Sequence, residues 1–492
     1  MNFNLICAYC NNRGIGLDNT IPWKIINDLK YFKSVTTLIL KNETNETTQI
    51  NETIKNIVIM GRNTWESIPS NFRPLTDRYN FVLSSRKDFI DSEKVDYIGS
   101  SFEEVIEYIK NNSIFGNSQV FIIGGEALYK YVLDNYSNDI NKIYITEVYK
   151  SIECDKFFPK INNELFKICD VSNFKKEKDI HFRYITYKNA NSNGPFYINH
   201  EEQNFKMFIK NILDNGLKRD DRTGVGTISL FAPYSMKYDL KNTFPLCTLK
   251  RGFLRAVFEE LLLYIRGQTD NNILKDKNIH IWDGNTTREF LDKRGLTELP
   301  EGDMGETYGF NMRHYGGDYV NCKTTYDETN GFDQLKYVID EIKNNPHSRR
   351  ILINLWNPKT TCKAALPSCL HQYQFYVDTE KKTLSVQIYL RSSDVFLANN
   401  WNVCTGALFV HLLCNLDSID LTPGDLTMVC GDAHIYKTHI ELAEKMISRE
   451  AYPYPKLVVM EKKTNIEDFV YEDIKLIGYK SHPNDLKGEM AV

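Results

Sequence analysis

Residues 365–397 constrain this chain more than any other stretch. They open with Ala365-Leu366-Pro367-Ser368-Cys369 and continue as Leu370-His371-Gln372-Tyr373-Gln374-Phe375-Tyr376-Val377. A proline turn thus delivers a cysteine to the start of an alternating strand. Further on, Tyr389-Leu390-Arg391-Ser392-Ser393-Asp394-Val395-Phe396-Leu397 ends the next strand with an arginine and two hydroxyls. Two adjacent strands can bring Cys369 and Arg391 within reach of each other. A thiol with an ordinary pKa of about 8.5 is only a few per cent ionised at neutral pH. A neighbouring cation lowers that pKa and makes the sulfur a usable nucleophile. An isolated cysteine is more often a small buried hydrophobe, so the surroundings of Cys369 decide between the two readings.

At 492 residues the chain exceeds one ordinary core, and two or three domains are expected. Residues 1–190 carry 24 Lys+Arg and 24 Asp+Glu, leaving 36 and 40 for the rest, so neither half has the basic excess of a nucleic-acid binder. Eleven cysteines, an odd number without framework spacing, point to a reducing compartment. Cys7-x-x-Cys10 lies within an apolar first strand and reads as packing. No apolar run reaches about 18 residues and no cleavable leader is evident, so a soluble cytoplasmic protein is expected.

The first 190 residues alternate strands with helices, the pattern of an α/β domain with a largely parallel sheet. Phe3 to Cys10 is a strand. A helix begins near Ile25, and Ile25, Ile26, Leu29, Phe32 and Val35 mark its expected apolar face. Asp28 shares a face with Phe32, although an acid in a first turn is usually a solvated residue favoured by the helix dipole. Residues 41–55, rich in Asn, Glu and Thr, read as a surface insertion. Strands then run into turns at Gly61-Arg62-Asn63-Thr64, Ser84-Ser85-Arg86 and Gly124-Gly125. Such strand ends are where ligands bind in these sheets, yet no G-x-G-x-x-G fingerprint is present.

Ile21-Pro22-Trp23, Asp28 with Phe32, Met60-Gly61-Arg62-Asn63-Thr64-Trp65, Leu83-Ser84-Ser85-Arg86, Ile123-Gly124-Gly125 and Ile145-Thr146-Glu147 occur in the order found in dihydrofolate reductase, which residues 3–188 resemble. The resemblance implies that Asp28 hydrogen-bonds the pteridine and assists its protonation, with Thr146 holding a water beside it. It implies that Phe32 and Ile68 flank the substrate and Arg78 pairs with its glutamate. Ala8, Ile15, Gly61, Arg62, Thr64, Ser84, Arg86, Gly124 and Gly125 would bind the cofactor. The cations and hydroxyls among these favour NADPH over NADH.

Residues 189–199 have a linker composition, Asn-Ala-Asn-Ser-Asn-Gly-Pro at their start. After them come a helix from Glu202 ended by Gly216, a charged loop from Arg219 to Thr227, and an apolar helix from Val257 to Ile265. Glu260 in that helix is expected off the solvent face, where a carboxylate can handle protons. Tandem Arg349-Arg350 suits a phosphate clamp, and Gly431 to Tyr436 reads as a turn offering His434 and Tyr436 to a sugar hydroxyl.

Residues 200–492 resemble thymidylate synthase, an α+β domain, through the Cys369 and Arg391 stretches and the closing Glu489-Met490-Ala491-Val492. The resemblance implies that Cys369 adds to carbon 6 of dUMP. Arg222, Arg391 and Ser392 would bind the phosphate, as would Arg349 and Arg350 from the other subunit of a homodimer. Asn402 would read the uracil edge, which favours uracil over cytosine. Asp394 would order its neighbourhood, and His434 and Tyr436 would hold the ribose. Glu260, Trp282, Asn285 and Tyr308 would serve proton transfer and folate orientation, and Val492 would close the site. The cosubstrate would be 5,10-methylenetetrahydrofolate, with no metal, membrane or nucleic acid. Three departures stand out: Leu370 where a histidine usually follows the nucleophile, Leu390 where a glutamine is usual, and Asn399-Asn400-Trp401 in place of a Leu-Pro-Phe-type run. The dihydrofolate released by the second reaction is the substrate of the first, so the whole resembles the bifunctional dihydrofolate reductase–thymidylate synthase family.

Overall fold

The computed structural model describes residues 1–38, 54–221 and 224–489, and these form two compact units, Met1–Tyr197 and Ile198–Val492. Most of the Asn/Glu/Thr-rich insertion, Arg222 and Val492 lie outside the described residues.

In the first unit the strands are β1 (Phe3–Cys10), β2 (Gly14–Gly16), β3 (Asn56–Gly61), β4 (Arg78–Leu83), β5 (Tyr97–Gly99), β6 (Val120–Gly124), β7 (Ile140–Val148), β8 (Lys156–Phe157), β9 (Phe166–Val171), β10 (Lys175–Glu177) and β11 (Ile180–Asn189). The main sheet has the order β10-β11-β7-β1-β6-β3-β4-β5, with β9 on β11. From β7 to β5 the strands are parallel, and β9 to β11 add an antiparallel edge. Helices α1 (Ile26–Thr37), α2 (Arg62–Ser67), α3 (Phe102–Lys110) and α4 (Glu126–Asn135) flank it. Ile57, Val58, Ile59 and Met60 are all fully buried, as befits a strand covered on both faces. Cys10 is fully buried at the end of β1, its Sγ 3.8 Å from that of Cys154.

One expected face is corrected. In α1 the residue buried outright is Thr36, whereas Ile26 and Leu29 are more than half exposed. Phe32 and Val35 pack partly against the core. The apolar spacing is real, but Ile26 and Leu29 at the start of that face meet solvent instead of the sheet.

The second unit runs α5 (His200–Asn215), β12 (Leu217–Arg219), β13 (Thr227–Phe231), β14 (Met236–Asp239), α6 (Leu254–Ile265), α7 (Asn272–Lys275), α8 (Arg288–Lys293), α9 (Tyr308–Arg313), α10 (Gln334–Asn344), β15 (Leu352–Asn354), β16 (Leu370–Asp378), β17 (Thr383–Asp394), α11 (Asn399–Leu413) and β18 (Thr422–Tyr436). Its sheet has the order β12-β13-β18-β17-β16-β15, with β14 on β18, and only the β17–β18 pair is parallel. Helices α6 and α11 are apolar nearly all round; they pack on each other, α11 also on the sheet and α6 also on α9. Two expected loops are partly strand. Arg219 belongs to β12, opposite Thr227. Gly431 to Tyr436 is the end of β18, not a turn: Ala433 and Ile435 point into the core while Asp432, His434 and Tyr436 stand on the other face. Among the described residues, no helix is long and apolar enough to cross a membrane.

Candidate active sites

In the second unit the site is assembled where β16 begins and β17 ends. Leu370 pairs with Leu390 across the strands, and the Arg391 N–H donates to the Cys369 carbonyl at 2.9 Å. The Arg391 guanidinium donates to the carbonyls of Ser368 and Pro367 at 2.8 and 2.9 Å and lies over the Trp356 ring. These anchors leave Nη2 4.0 Å from Cys369 Sγ. The backbone N–H of Cys369 donates to the Tyr308 hydroxyl at 2.8 Å. The turn before β16 is therefore fixed from both sides, and the sulfur sits beside a permanent cation.

Glu260 is buried on α6. Its Oε1 accepts from the Tyr264 hydroxyl and Trp282 Nε1, both at 2.8 Å, and its Oε2 accepts from Trp401 Nε1 at 2.6 Å. Burial raises its pKa above the usual carboxylate range, while these three donors pull the other way. Tyr308 stacks on Tyr264 with ring centroids 4.8 Å apart and meets Trp282 edge-on at 6.0 Å. One aromatic cluster thus joins the carboxylate to the turn that carries Cys369. Asn285 is buried three residues beyond Trp282.

Asp394 Oδ1 accepts from the N–H groups of Phe396 and Leu397, so it caps the turn into α11. Asn402 donates to the Ala398 carbonyl at 3.0 Å. Ser392 stands opposite Asp432, and His434 lies edge-on to Tyr436 with Nδ1 3.1 Å from Asp432 Oδ1. Asp432 also accepts from Ser229 and Arg219, and the His434 bond comes first among the causes that hold its carboxyl below the usual range. The sequence reading missed Asp432; the signal was its two-residue spacing from His434. Arg349 and Arg350 are exposed between α10 and β15, the strand that pairs with β16. His371, one residue after the usual histidine position, lies on the opposite face from buried Leu370, near Trp356 and Tyr389.

In the first unit, Asp28, Phe32 and Thr36 recur every four residues along one face of α1. Thr146 on β7 donates to Asp28 Oδ1 at 2.6 Å. Burial pushes the Asp28 carboxyl up to about 6, against the lowering effect of the Thr146 bond. Arg78 is buried at the start of β4, donates to Thr36 Oγ1 at 2.8 Å and lies 5.5 Å from the Phe32 ring centroid. Thr36 is a site-side residue that the sequence reading passed over, although its spacing announced it. Ile68 packs into the same small cluster as Phe32. Ala8 pairs with Thr146 across β1 and β7, and Ile15 is half-buried on β2.

At the strand ends, Gly124 has φ +130° and a Cβ there would meet Thr64 Oγ1 at 3.3 Å. A Cβ on Gly125 would meet the same oxygen at 3.2 Å, and one on Gly61 would approach the Gly124–Gly125 backbone at 4.0 Å. The ends of β3 and β6 and the first turn of α2 thus form a cradle shaped for backbone contact. Arg62 is paired with both carboxylate oxygens of Glu66 at 3.0 Å, and the Ser84 hydroxyl accepts from the Arg86 N–H at 3.0 Å.

Family profiles match both halves: dihydrofolate reductase over residues 2–189 and thymidylate synthase over residues 203–492. The chain is 38% identical over 512 residues to a putative bifunctional dihydrofolate reductase-thymidylate synthase of Oryza sativa subsp. japonica, covering 97% of this chain and 100% of the relative. It is 36% identical over 509 residues to the bifunctional dihydrofolate reductase-thymidylate synthase of Leishmania major, with 100% and 95% covered. It is likewise 36% identical over 492 residues to that of Paramecium tetraurelia, with 100% and 99% covered.

Proposed function

The chain belongs to the bifunctional dihydrofolate reductase–thymidylate synthase family, and on that premise we propose how its own residues divide the work. It methylates dUMP to dTMP with methylenetetrahydrofolate through a covalent cysteine adduct, and it reduces the dihydrofolate produced to tetrahydrofolate with NADPH.

In the synthase half, Cys369 is the nucleophile, and the observation that carries this is Arg391 Nη2 held 4.0 Å from its sulfur by backbone carbonyls. The thiolate adds to carbon 6 of the uracil ring, and Asn402 reads the ring edge. Glu260 handles the proton, while Trp282, Asn285 and Tyr308 orient the folate cosubstrate, 5,10-methylenetetrahydrofolate. Arg391, Ser392 and Arg222 take the phosphate, His434 and Tyr436 the ribose, and Asp394 holds the turn that presents Asn402. Val492 closes over the ligands. Arg349 and Arg350, exposed just before β15, act across a two-fold homodimer.

In the reductase half, Asp28 with Thr146 binds the pteridine and assists its protonation, Phe32 and Ile68 flank it, and Arg78 pairs with the glutamate carboxylate. NADPH supplies hydride when bound. The glycine cradle at Gly61 and Gly124-Gly125 fits its backbone-contacting phosphates, with Thr64, Ser84, Arg86, Ala8 and Ile15 around it. Arg62 joins by exchanging Glu66 for a phosphate. The domain bounds we assign are 1–188 and 200–492, joined by 189–199, and we place the enzyme in the cytoplasm on its eleven cysteines of irregular spacing.

The test supplies purified protein with dUMP, methylenetetrahydrofolate and NADPH and follows dTMP formation and NADPH oxidation separately. Cys369→Ser is expected to lose dTMP formation by at least about 10³-fold while still oxidising NADPH with added dihydrofolate. A variant that keeps making dTMP would refute the nucleophile assignment.

A further inference from the structure

Two of the three departures from the thymidylate synthase pattern meet in space. Leu370 and Leu390 are direct partners across β16 and β17, 3% and 0% exposed. The histidine and glutamine usual at these positions are therefore exchanged together for one closed apolar pair. A polar group is gained elsewhere. Trp401, where the usual run has phenylalanine, turns its indole N–H onto Oε2 of Glu260 at 2.6 Å. The preceding residue fixes it there: Asn400 accepts from the Cys247 N–H at 3.1 Å and donates to the Pro245 carbonyl at 2.9 Å. On the following turn the Thr405 hydroxyl donates to the Trp401 carbonyl.

We propose that Trp401 is a positioning residue for the synthase reaction, its indole N–H holding Glu260 in one orientation for proton transfer. The proposal rests on the reading of Glu260 as the proton handler. An indole nitrogen donates and never accepts. Two indoles and a phenol therefore occupy both carboxylate oxygens, Oε1 from Tyr264 and Trp282 and Oε2 from Trp401. A proton on Oε2 would compete with the Trp401 N–H for the same oxygen. The donor set therefore favours the anion at a buried site whose desolvation favours the neutral acid. Removing the Trp401 donor leaves Oε2 to burial alone and lets the carboxylate swing about the two bonds on Oε1.

Trp401→Phe in the full chain tests this, because it restores the side chain the family usually has and keeps an aromatic ring in place. Steady-state dTMP formation is measured from pH 5.5 to 9, along with release of the C5 hydrogen of dUMP labelled with tritium; dihydrofolate reduction by the same chain calibrates the amount of protein. The acid limb of kcat is expected to move to higher pH by about half a unit or more. At pH 7 kcat and tritium release fall by about tenfold, while KM for dUMP stays within about twofold. Trp401→His, which restores an N–H, recovers part of the loss. An unchanged profile and kcat, or a uniform loss at every pH with a raised KM, would overturn the inference and leave Trp401 as packing. Glu260→Gln run in parallel separates the two levels: if it retains full synthase activity, the role of Glu260 fails; if it loses activity while Trp401→Phe does not, only the role of Trp401 fails.

Discussion

Asp28 accepts one side-chain hydrogen bond among the described residues, from Thr146, on a helix whose neighbouring Ile26 and Leu29 face solvent, whereas Glu260 is enclosed and takes three. Burial raises both acids above the usual carboxylate range. The difference lies in who completes the site. Around Glu260 the protein has already placed the donors, and the orientation is fixed before substrate arrives. Around Asp28 a single threonine holds one oxygen, and on the proposed assignment the pteridine supplies the remaining partner. The first site is built to be finished by its ligand, and the second is finished by its fold.

Removing the acids tests that contrast at its strongest. Glu260→Gln leaves a carboxamide whose NH2 faces donors it cannot satisfy, so dTMP formation should fall by about 10²–10⁴-fold, with dihydrofolate reduction unchanged. Asp28→Asn should cost the reductase reaction about 10²-fold or more while the site still binds folate, since an amide oxygen can still accept the Thr146 bond. Binding measured by fluorescence quenching separates these outcomes, and equal damage to binding in both variants would erase the distinction.

The pH course gives a smaller and finer effect. Asp28 carries its proton below about 6 and loses it above. Reduction of dihydrofolate should therefore decline as pH rises through that value. Thr146→Val deletes the bond that favours the charged form, so the decline should shift to higher pH, by about one unit at most. A shift to lower pH would contradict the part given to Thr146. Thr36→Val should produce the least change, a loss of about 1 kcal/mol in the stability of the first unit from the missing bond to Arg78. It should also raise KM for dihydrofolate, because the guanidinium is no longer aimed; thermal unfolding and initial rates check the two together.

Spacing made some of this legible. The four-residue recurrence put Asp28 and Phe32 on one face, and Thr36 with them, but not which side of that face would meet the core. The alternation Ala433, Ile435 against Asp432, His434, Tyr436 was present too, yet glycine and aspartate at its start gave the appearance of a turn. Local caps are short-range features of the same kind: Ser101 accepts from the Glu104 N–H and Asn199 from the Glu202 N–H, each three residues on. Helix α1 has no such local cap. Its first N–H groups, on Ile26 and Asn27, donate to the carboxylate of Glu177 on β10, about 150 residues away.

The sequence by itself determined the division into two domains of known families, the placing of Cys369 and Arg391 at the ends of successive strands, and the periodicities of α1, α6 and β16, because each is written in local motifs and spacings. Only the tertiary structure decided that Leu370 and Leu390 form one pair, that Glu177 caps α1, and that Trp401 closes on Glu260 from a helix 141 residues further along. Those contacts depend on how α6 packs on α11 and how β16 registers against β17, and burial of apolar faces sets that packing without leaving a local mark on the polar atoms it brings together.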